Sequence, residues 1–320
     1  MSIAKEHINI ISVPADTASI IRGKHLAPEA LLKAGLASKL RSTGLQVTET
    51  NALPDGPRIW SPAPIEASGV RNEASNVDVY HRVKETVTSG LTSNASSEDE
   101  IPFQIILGGG CDIVPAIMSS YWHHLSPKRV GLIYIDADAD LTIPNGLGSV
   151  GTLASMTMTH LTMREGALES MRPFTRPDGF GVVDSSNVAL FGLNIGLEGN
   201  RREQLGYLFD ENFQVVTSSA VAQDPVQRAQ QALAWLEERV DMIVVHLDVD
   251  SIDAGLFPLA NVPNFTGATF DVVMQAVRVF MRSEKAAGLV VAEVNPDHDP
   301  GSVMTEKLVV EITSCLQGRQ

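Results

Sequence analysis

Three apolar runs in this chain each break off into carboxylates. Residues 130–135 (VGLIYI) lead into Asp136, Asp138 and Asp140, residues 243–247 (IVVHL) into Asp248 and Asp250, and residues 289–291 (LVV) towards Glu293. Short runs rich in Val and Ile fit strands buried on both faces, which belong to parallel sheets covered by helices. The acids then fall just past the C-terminal strand ends, where open α/β sheets place their ligands. Alternate residues of an extended chain point the same way, so Asp136, Asp138 and Asp140 share a face, as do Asp248 and Asp250. Six carboxylates in one crevice cannot all ionise unless positive charge sits among them. A divalent cation, or a pair of them, is the simplest source.

The rest of the chain supports that architecture. Further short strands are expected at residues 8–13, 104–107, 188–191 and Gln214–Thr217. Helices are expected at 28–35, 76–92, 113–125, 224–240, Phe270–Met281 and 305–316. Residues 46–66 are rich in turn formers and proline and read as irregular, 93–100 as a mobile loop, and 201–209 as a charged segment between strands. Strands alternating with helices predict a three-layer α/β/α fold on a parallel sheet. No internal repeat or linker divides it, so residues 1–320 are expected to form one domain.

Composition narrows the function classes. Hydrophobic residues make up 44% of the chain and charged residues 19%, as in an ordinary globular protein. A formal charge of −14 argues against nucleic acid or an anionic membrane as partner, and leaves a small molecule. The N-terminal residues lack an apolar signal core and no run approaches a membrane-spanning length. With only two cysteines, Cys111 and Cys315, far apart, a disulfide scaffold is not expected and a reducing, cytoplasmic location fits best.

With the acidic bursts placed, the chain resembles the arginase/agmatinase (ureohydrolase) family. The motifs that carry the resemblance are GKHLAPEALL at 23–32, LGGGCD at 107–112, DADADL at 136–141, HLDVDSIDA at 246–254 and AEVNP at 292–296. The resemblance implies two Mn2+ ions at the strand ends, a metal-dependent hydrolase of C–N bonds, and a homo-oligomer, trimer or hexamer. It implies metal ligands at Cys111, Asp136, Asp138, Asp140, Asp248 and Asp250, with Asp136 and Asp248 bridging. Asp140 matches the ligand that relays a proton from water, and Glu293 the glutamate that faces a substrate guanidinium.

The chain departs from the family pattern at four functional places. Cys111 and Asp138 stand where the family has metal-binding histidines. Val150 stands where it has a histidine proton shuttle, and Asn194-Ile195-Gly196-Leu197 where arginases hold the substrate's α-amino group. An aspartate suits Mn2+, which prefers oxygen ligands, whereas a thiolate at Cys111 favours Zn2+ or Ni2+. His246 occurs where the family has serine, two residues before Asp248 and on the same strand face. It is either a replacement nitrogen ligand or acid/base group, or, as the favoured reading, a buried histidine hydrogen-bonded to its neighbours. Asn145 and Ser149, in the loop after the Asp triplet, are candidate substrate contacts.

Plainer readings bear on the other candidates. A single aspartate after a strand is commonly a helix cap, but five at two-residue spacing are too many for caps. Glycines 108–110 complete no phosphate-binding motif and fit a tight turn instead. Cys111 has no base near it in sequence to make it a nucleophile. Asp112, Asp253 and His298 read as structural or solvated, and Cys315 as a small core residue.

Three functions follow. The first is hydrolysis of a guanidino- or amidino-type small molecule other than plain L-arginine, with Asp140, Glu293 and His246 as catalytic candidates. The second is a catalytically inactive homologue with a structural or regulatory role. The third, a deacetylase-like amidohydrolase, would call for a histidine pair ahead of the metal strand, and His123-His124 are expected on a helix instead.

Overall fold

The structure, a computed structural model, describes residues 2–93 and 100–317. Its strands are β1 (Ser2–Ser12), β2 (Gln46–Asn51), β3 (Glu100–Leu107), β4 (Val130–Ile135), β5 (Val188–Leu193), β6 (Gln214–Thr217), β7 (Met242–Asp248) and β8 (Ala286–Ala292). They form one eight-stranded sheet in the order β2-β1-β3-β8-β7-β4-β5-β6, every neighbouring pair parallel. The helices are α1 (Ala27–Lys33), α2 (Leu36–Ser42), α3 (Glu73–Thr92), α4 (Val114–Leu125), α5 (Thr157–Thr162), α6 (Arg202–Asp210), α7 (Ser218–Gln223), α8 (Pro225–Glu237), α9 (Phe270–Met281) and α10 (Val303–Gln317).

Strand periodicity divides the core in two. In β3, Phe103, Ile105 and Leu107 face one layer while Ile106 faces the other, as two-residue alternation requires. Helices α1, α2, α8, α9 and α10 pack on the first face, and α3, α4 and α5 on the second. The fold is therefore a three-layer α/β/α sandwich. Helix α9 shows how the sequence encodes a layer: Phe270, Val273, Met274, Val277, Phe280 and Met281 fall at helical spacing and are all buried. Helix α8 starts where the Asp224 carboxylate accepts the Gln227 N–H at 3.0 Å, with Pro225 at its first position.

Registers bring the acid-bearing ends level. Ile135 lies opposite Leu247, Leu247 opposite Val291, and Leu107 opposite Val291. The loops leaving β3, β8, β7 and β4 thus open side by side at the middle of one sheet edge.

Some local expectations are corrected. Residues 46–51, taken as irregular, form edge strand β2; its sequence QVTETN is almost wholly exposed, so no apolar alternation marked it. The charged segment at 201–209 is helix α6, which turns Leu208 into the core and its charges to solvent. Helices α2, α5 and α7 have seven residues or fewer, too short for a periodic signal. The last strand ends at Ala292, just before Glu293, whose φ of 64° is left-handed. Helix α3 begins at Glu73 instead of residue 76. Most of the loop expected at 93–100 lies outside the described residues.

Candidate metal centre

Asp136 and Asp248 are the first residues of the crevice, at the ends of the adjacent strands β4 and β7. Each carboxylate is half used by the turn that follows it. Asp136 Oδ1 accepts the Asp138 N–H at 2.7 Å, and Asp248 Oδ1 accepts the Asp250 N–H at 2.9 Å. The other oxygen of each, Oδ2, is buried without a hydrogen-bond partner. A buried, unpartnered carboxylate oxygen is costly and marks a place where something positive belongs. Asp250 bonds back to the Ala137 N–H at 3.4 Å, and the side chain of Asn200 holds the same loop from outside. The Asn200 amide oxygen accepts the Ala139 N–H at 2.7 Å and its nitrogen donates to the Ala137 carbonyl at 2.8 Å.

Three overlapping sets of donor atoms each lie within 4.8 Å: Asp136, Asp138 and Asp250; Asp136, His246 and Asp248; and Cys111, Asp248 and Glu293. Asp140 sits beside them in a left-handed conformation, φ 49°, with one oxygen accepting the Tyr134 hydroxyl at 2.5 Å. Non-glycine residues in this conformation are uncommon, and Asp140 and Glu293 both adopt it where their carboxylates turn into the crevice.

The electrostatics follow from crowding. Burial first, then the neighbouring carboxylates, hold Asp136, Asp140, Asp248 and Asp250 well above the usual carboxylate range. The same causes push Asp138 up to about 6. Burial and the surrounding acids likewise raise the Cys111 thiol, whose Sγ lies 3.4 Å from Thr157 Oγ1 and 3.5 Å from the Ala154 carbonyl. Protons or cations must occupy such a cluster at neutral pH. The donor set fits divalent metal: five carboxylates supply hard oxygen donors, two of them with a buried oxygen that has no hydrogen-bond partner, and Cys111 adds one soft donor.

His246 departs from the favoured expectation. It is fully buried, stacked on Tyr134 with ring centroids 4.7 Å apart, and neither ring nitrogen has a hydrogen-bond partner. Its Nε2 lies 3.9 Å from the orphaned Oδ2 of Asp136. Burial lowers its pKa to about 3, so the ring is neutral and able to offer a lone pair.

Glu293, whose carboxylate lies within 4.8 Å of donor atoms of Cys111 and Asp248, is not open. Both its oxygens accept the Lys24 ammonium at 2.6 Å, and one also accepts the Cys111 N–H at 3.1 Å. Lys24 is 1% exposed. Burial opposes its charge, but Glu293, Cys111 and Asp112 outweigh that and raise its pKa. The residue was legible as part of the GKHLAP motif, but nothing local told that its side chain enters the crevice. A nearby signal existed: Gly23, φ 119°, starts the turn, and a Cβ there would lie 2.1 Å from Asn295 Oδ1. The Asp16 carboxylate then pins the turn through the Gly23 N–H at 3.0 Å and the His25 ring.

These residues surround a cavity of about 250 Å³ lined by Lys24, Cys111, Asp138, Asp140, Asp248, Asp250 and Glu293. Its mouth is apolar, formed by Ile20, Ile21, Val150 and Val262. Asn145 and Ser149 are not among the lining residues; Asn145 is exposed and Ser149 Oγ accepts the Gly151 N–H at 3.2 Å. From that loop the cavity receives Thr142, Val150, Thr152 and Ser155 instead. The side chain of Asn194 turns away to Asn264 and Thr266. Asp112 is buried beneath the site, and His123-His124 lie at the end of α4.

Residues 6–318 match the family described as Arginase family, and the chain belongs to it. It is 26% identical over 299 residues to an arginase of Staphylococcus aureus, covering 92% of each chain. It is 25% identical over 236 residues to a formimidoylglutamase of Macrococcus caseolyticus, covering 73% of this chain and 64% of that protein. The solved structure of the Bacillus caldovelox arginase superposes with a TM-score of 0.81 at 19% identity, covering 99% of this chain and 98% of that one, a likeness of fold. Among the described residues, no helix is long and apolar enough to cross a membrane.

Proposed function

We propose that this chain is a metal-dependent hydrolase of a C–N bond at a guanidino- or amidino-type carbon in a small molecule other than plain L-arginine. The observation that carries this reading is the pair of buried, unpartnered oxygens on Asp136 and Asp248, inside a cluster of acids that their own burial would otherwise protonate. Family membership supports it, since relatives are named for hydrolysing such bonds in more than one substrate.

Asp136, Asp138, Asp248 and Asp250 would hold a divalent pair, most simply Mn2+, with Asp140 at one flank. Cys111 would add a sulfur donor if Zn2+ or Ni2+ is the ion taken. When bound, such ions supply Lewis-acid polarisation and a nucleophile of hydroxide strength near neutral pH. Asp140, one oxygen held by Tyr134, is the group we assign to take up the proton released from the attacking water. The apolar mouth and the absence of acids at Asn194–Leu197 argue against a substrate bearing an α-amino group there.

One observation favours the alternative of an inactive homologue: Lys24 already occupies the carboxylate of Glu293. Elemental analysis separates the two readings. We expect at least one divalent ion per chain in wild type, and joint loss of metal and of ammonia or amine release in Asp248→Ala. Metal-free wild type after growth in manganese and zinc, or full activity in Asp248→Ala, would refute the hydrolase reading.

A further inference from the structure

Charge in the cavity is confined to its base. The charged side chains that line it are Lys24, Asp138, Asp140, Asp248, Asp250 and Glu293, and all belong to the cluster around the candidate centre. Among the described residues no other charged side chain lines it. The uncharged polar residues of the lining are spent on the protein itself. Asn200 holds Ala137, Ala139 and Asn194, Gln204 Nε2 donates to Thr142 Oγ1 at 3.4 Å, and Thr152 Oγ1 donates to Ser155 Oγ at 3.1 Å.

The mouth is assembled from three separate loops. Ile20 and Ile21 follow β1, Val150 follows β4 and Val262 follows β7, and these four are between 42% and 53% exposed. Their backbones are tied in place. The buried Asn261 donates from Nδ2 to the Ile21 carbonyl at 3.4 Å, and the buried Asn295 donates to Asn261 Oδ1 at 2.7 Å and to the Arg22 carbonyl at 3.1 Å. Arg71 Nε donates to the Val150 carbonyl at 2.9 Å, and the Ala154 N–H to the Ala18 carbonyl at 3.4 Å joins the loops after β4 and β1. Single apolar residues scattered over a surface are ordinary, but four converging on one opening form a patch that gains by being covered.

We propose that Ile20, Ile21, Val150 and Val262 are specificity-determining residues, selecting a guanidino compound with an uncharged aliphatic tail over one whose tail ends in an ammonium or a carboxylate. The inference rests on the hydrolase reading and deepens it by naming the far end of the substrate. The cationic head is directed to the acid-lined base, and the alkyl chain runs outward between the four aliphatic side chains. Each methylene covered there adds about threefold to affinity. A charge at the tail's end would lose hydration against aliphatic groups and gain no partner of opposite sign.

The test compares n-pentylguanidinium with 4-aminobutylguanidinium, which has the same length but an ammonium in place of the terminal methyl, and with 4-guanidinobutanoate. Each is titrated calorimetrically into protein equilibrated with manganese. Wild type should bind the pentyl compound at least tenfold more tightly than either charged-tail compound, and affinity should rise about threefold per methylene from n-propyl- to n-pentylguanidinium. Val262→Asp, at a half-exposed position, should shift the preference towards 4-aminobutylguanidinium at least tenfold. A wild type that binds a charged-tail compound as tightly, or binds none of the three, overturns the inference and needs no variant to fold. An unchanged preference in Val262→Asp overturns it too, because the tail then lies elsewhere. If the preference holds but neither amine nor ammonia is released from any of the three, the hydrolase reading fails and the assignment of the mouth stands. If the charged-tail compounds are the ones hydrolysed, the reverse is true.

Discussion

His246 is the residue whose surroundings and chemistry disagree most sharply. Nothing donates to or accepts from either ring nitrogen, yet the ring is fully buried against Tyr134 and close to the open oxygen of Asp136. A histidine in a core normally gains a hydrogen bond for the desolvation it suffers. A divalent ion reaching between Asp136 and Asp248 would supply the missing partner. We therefore expect His246→Ser to weaken manganese binding about tenfold or more, a loss of the size seen when groups around metal ligands are removed. Titration of metal-free protein measures it directly. Unchanged affinity would leave His246 as a ring packed on Tyr134 and nothing more. Two-residue spacing placed His246 on the face of Asp248 from sequence alone, whereas its lack of partners depends on the strands on either side. Lys24 is the contrary case: its chemistry is plain in the sequence, but Glu293 lies 269 residues away.

The elements that shape the centre are turns as much as strands. After β3 the chain passes through Gly108, Gly109 and Gly110, and a Cβ on Gly109 would lie 1.5 Å from the Ala15 carbonyl oxygen. The Glu293 N–H donates to the Gly109 carbonyl at 2.8 Å, so the glycine turn also sets the backbone that carries the rim carboxylate. Gly109→Ala should cost about 3 kcal/mol of stability, at the upper end for overpacking, because backbone rather than a flexible side chain must give way. Chemical denaturation of metal-free protein measures the loss, and a cost below about 1 kcal/mol would show that the turn can shift. Strands β4, β7 and β8 were legible because burial on both faces leaves little but Val, Ile, Leu, Ala and Gly. Strand β2 was not, because an exposed edge tolerates polar residues at every position. The short helices α2, α5 and α7 were missed for want of length, and α6 because its charges masked the one buried leucine.

For the molecule as a whole, the centre is a store of electrostatic strain that bound cations would relieve. Asp136, Asp138, Asp140, Asp248 and Asp250 have folded-state pKa values raised above the ordinary 3.8 by burial and by neighbouring carboxylates, that of Asp138 to about 6. Their contribution to stability is therefore complete below about pH 4 and is lost as pH rises through about 6 and beyond. Cations reverse the sign, because they bind the deprotonated form. The gain in Tm from added Mn2+ should accordingly grow between about pH 5 and about pH 8, and a scanning series with and without chelator tests it. A gain that is flat or shrinks over that range would show that the acids are not what the metal binds. The chain alone determined the layered α/β/α architecture and the position of the acids at strand ends, because burial on two faces and two-residue alternation are local rules written into each segment. Only the tertiary structure decided which oxygens are left open, that His246 has no partner and that Lys24 closes Glu293. Those facts arise where strands far apart in sequence meet in register, and charge, unlike periodicity, acts between whatever the fold brings together.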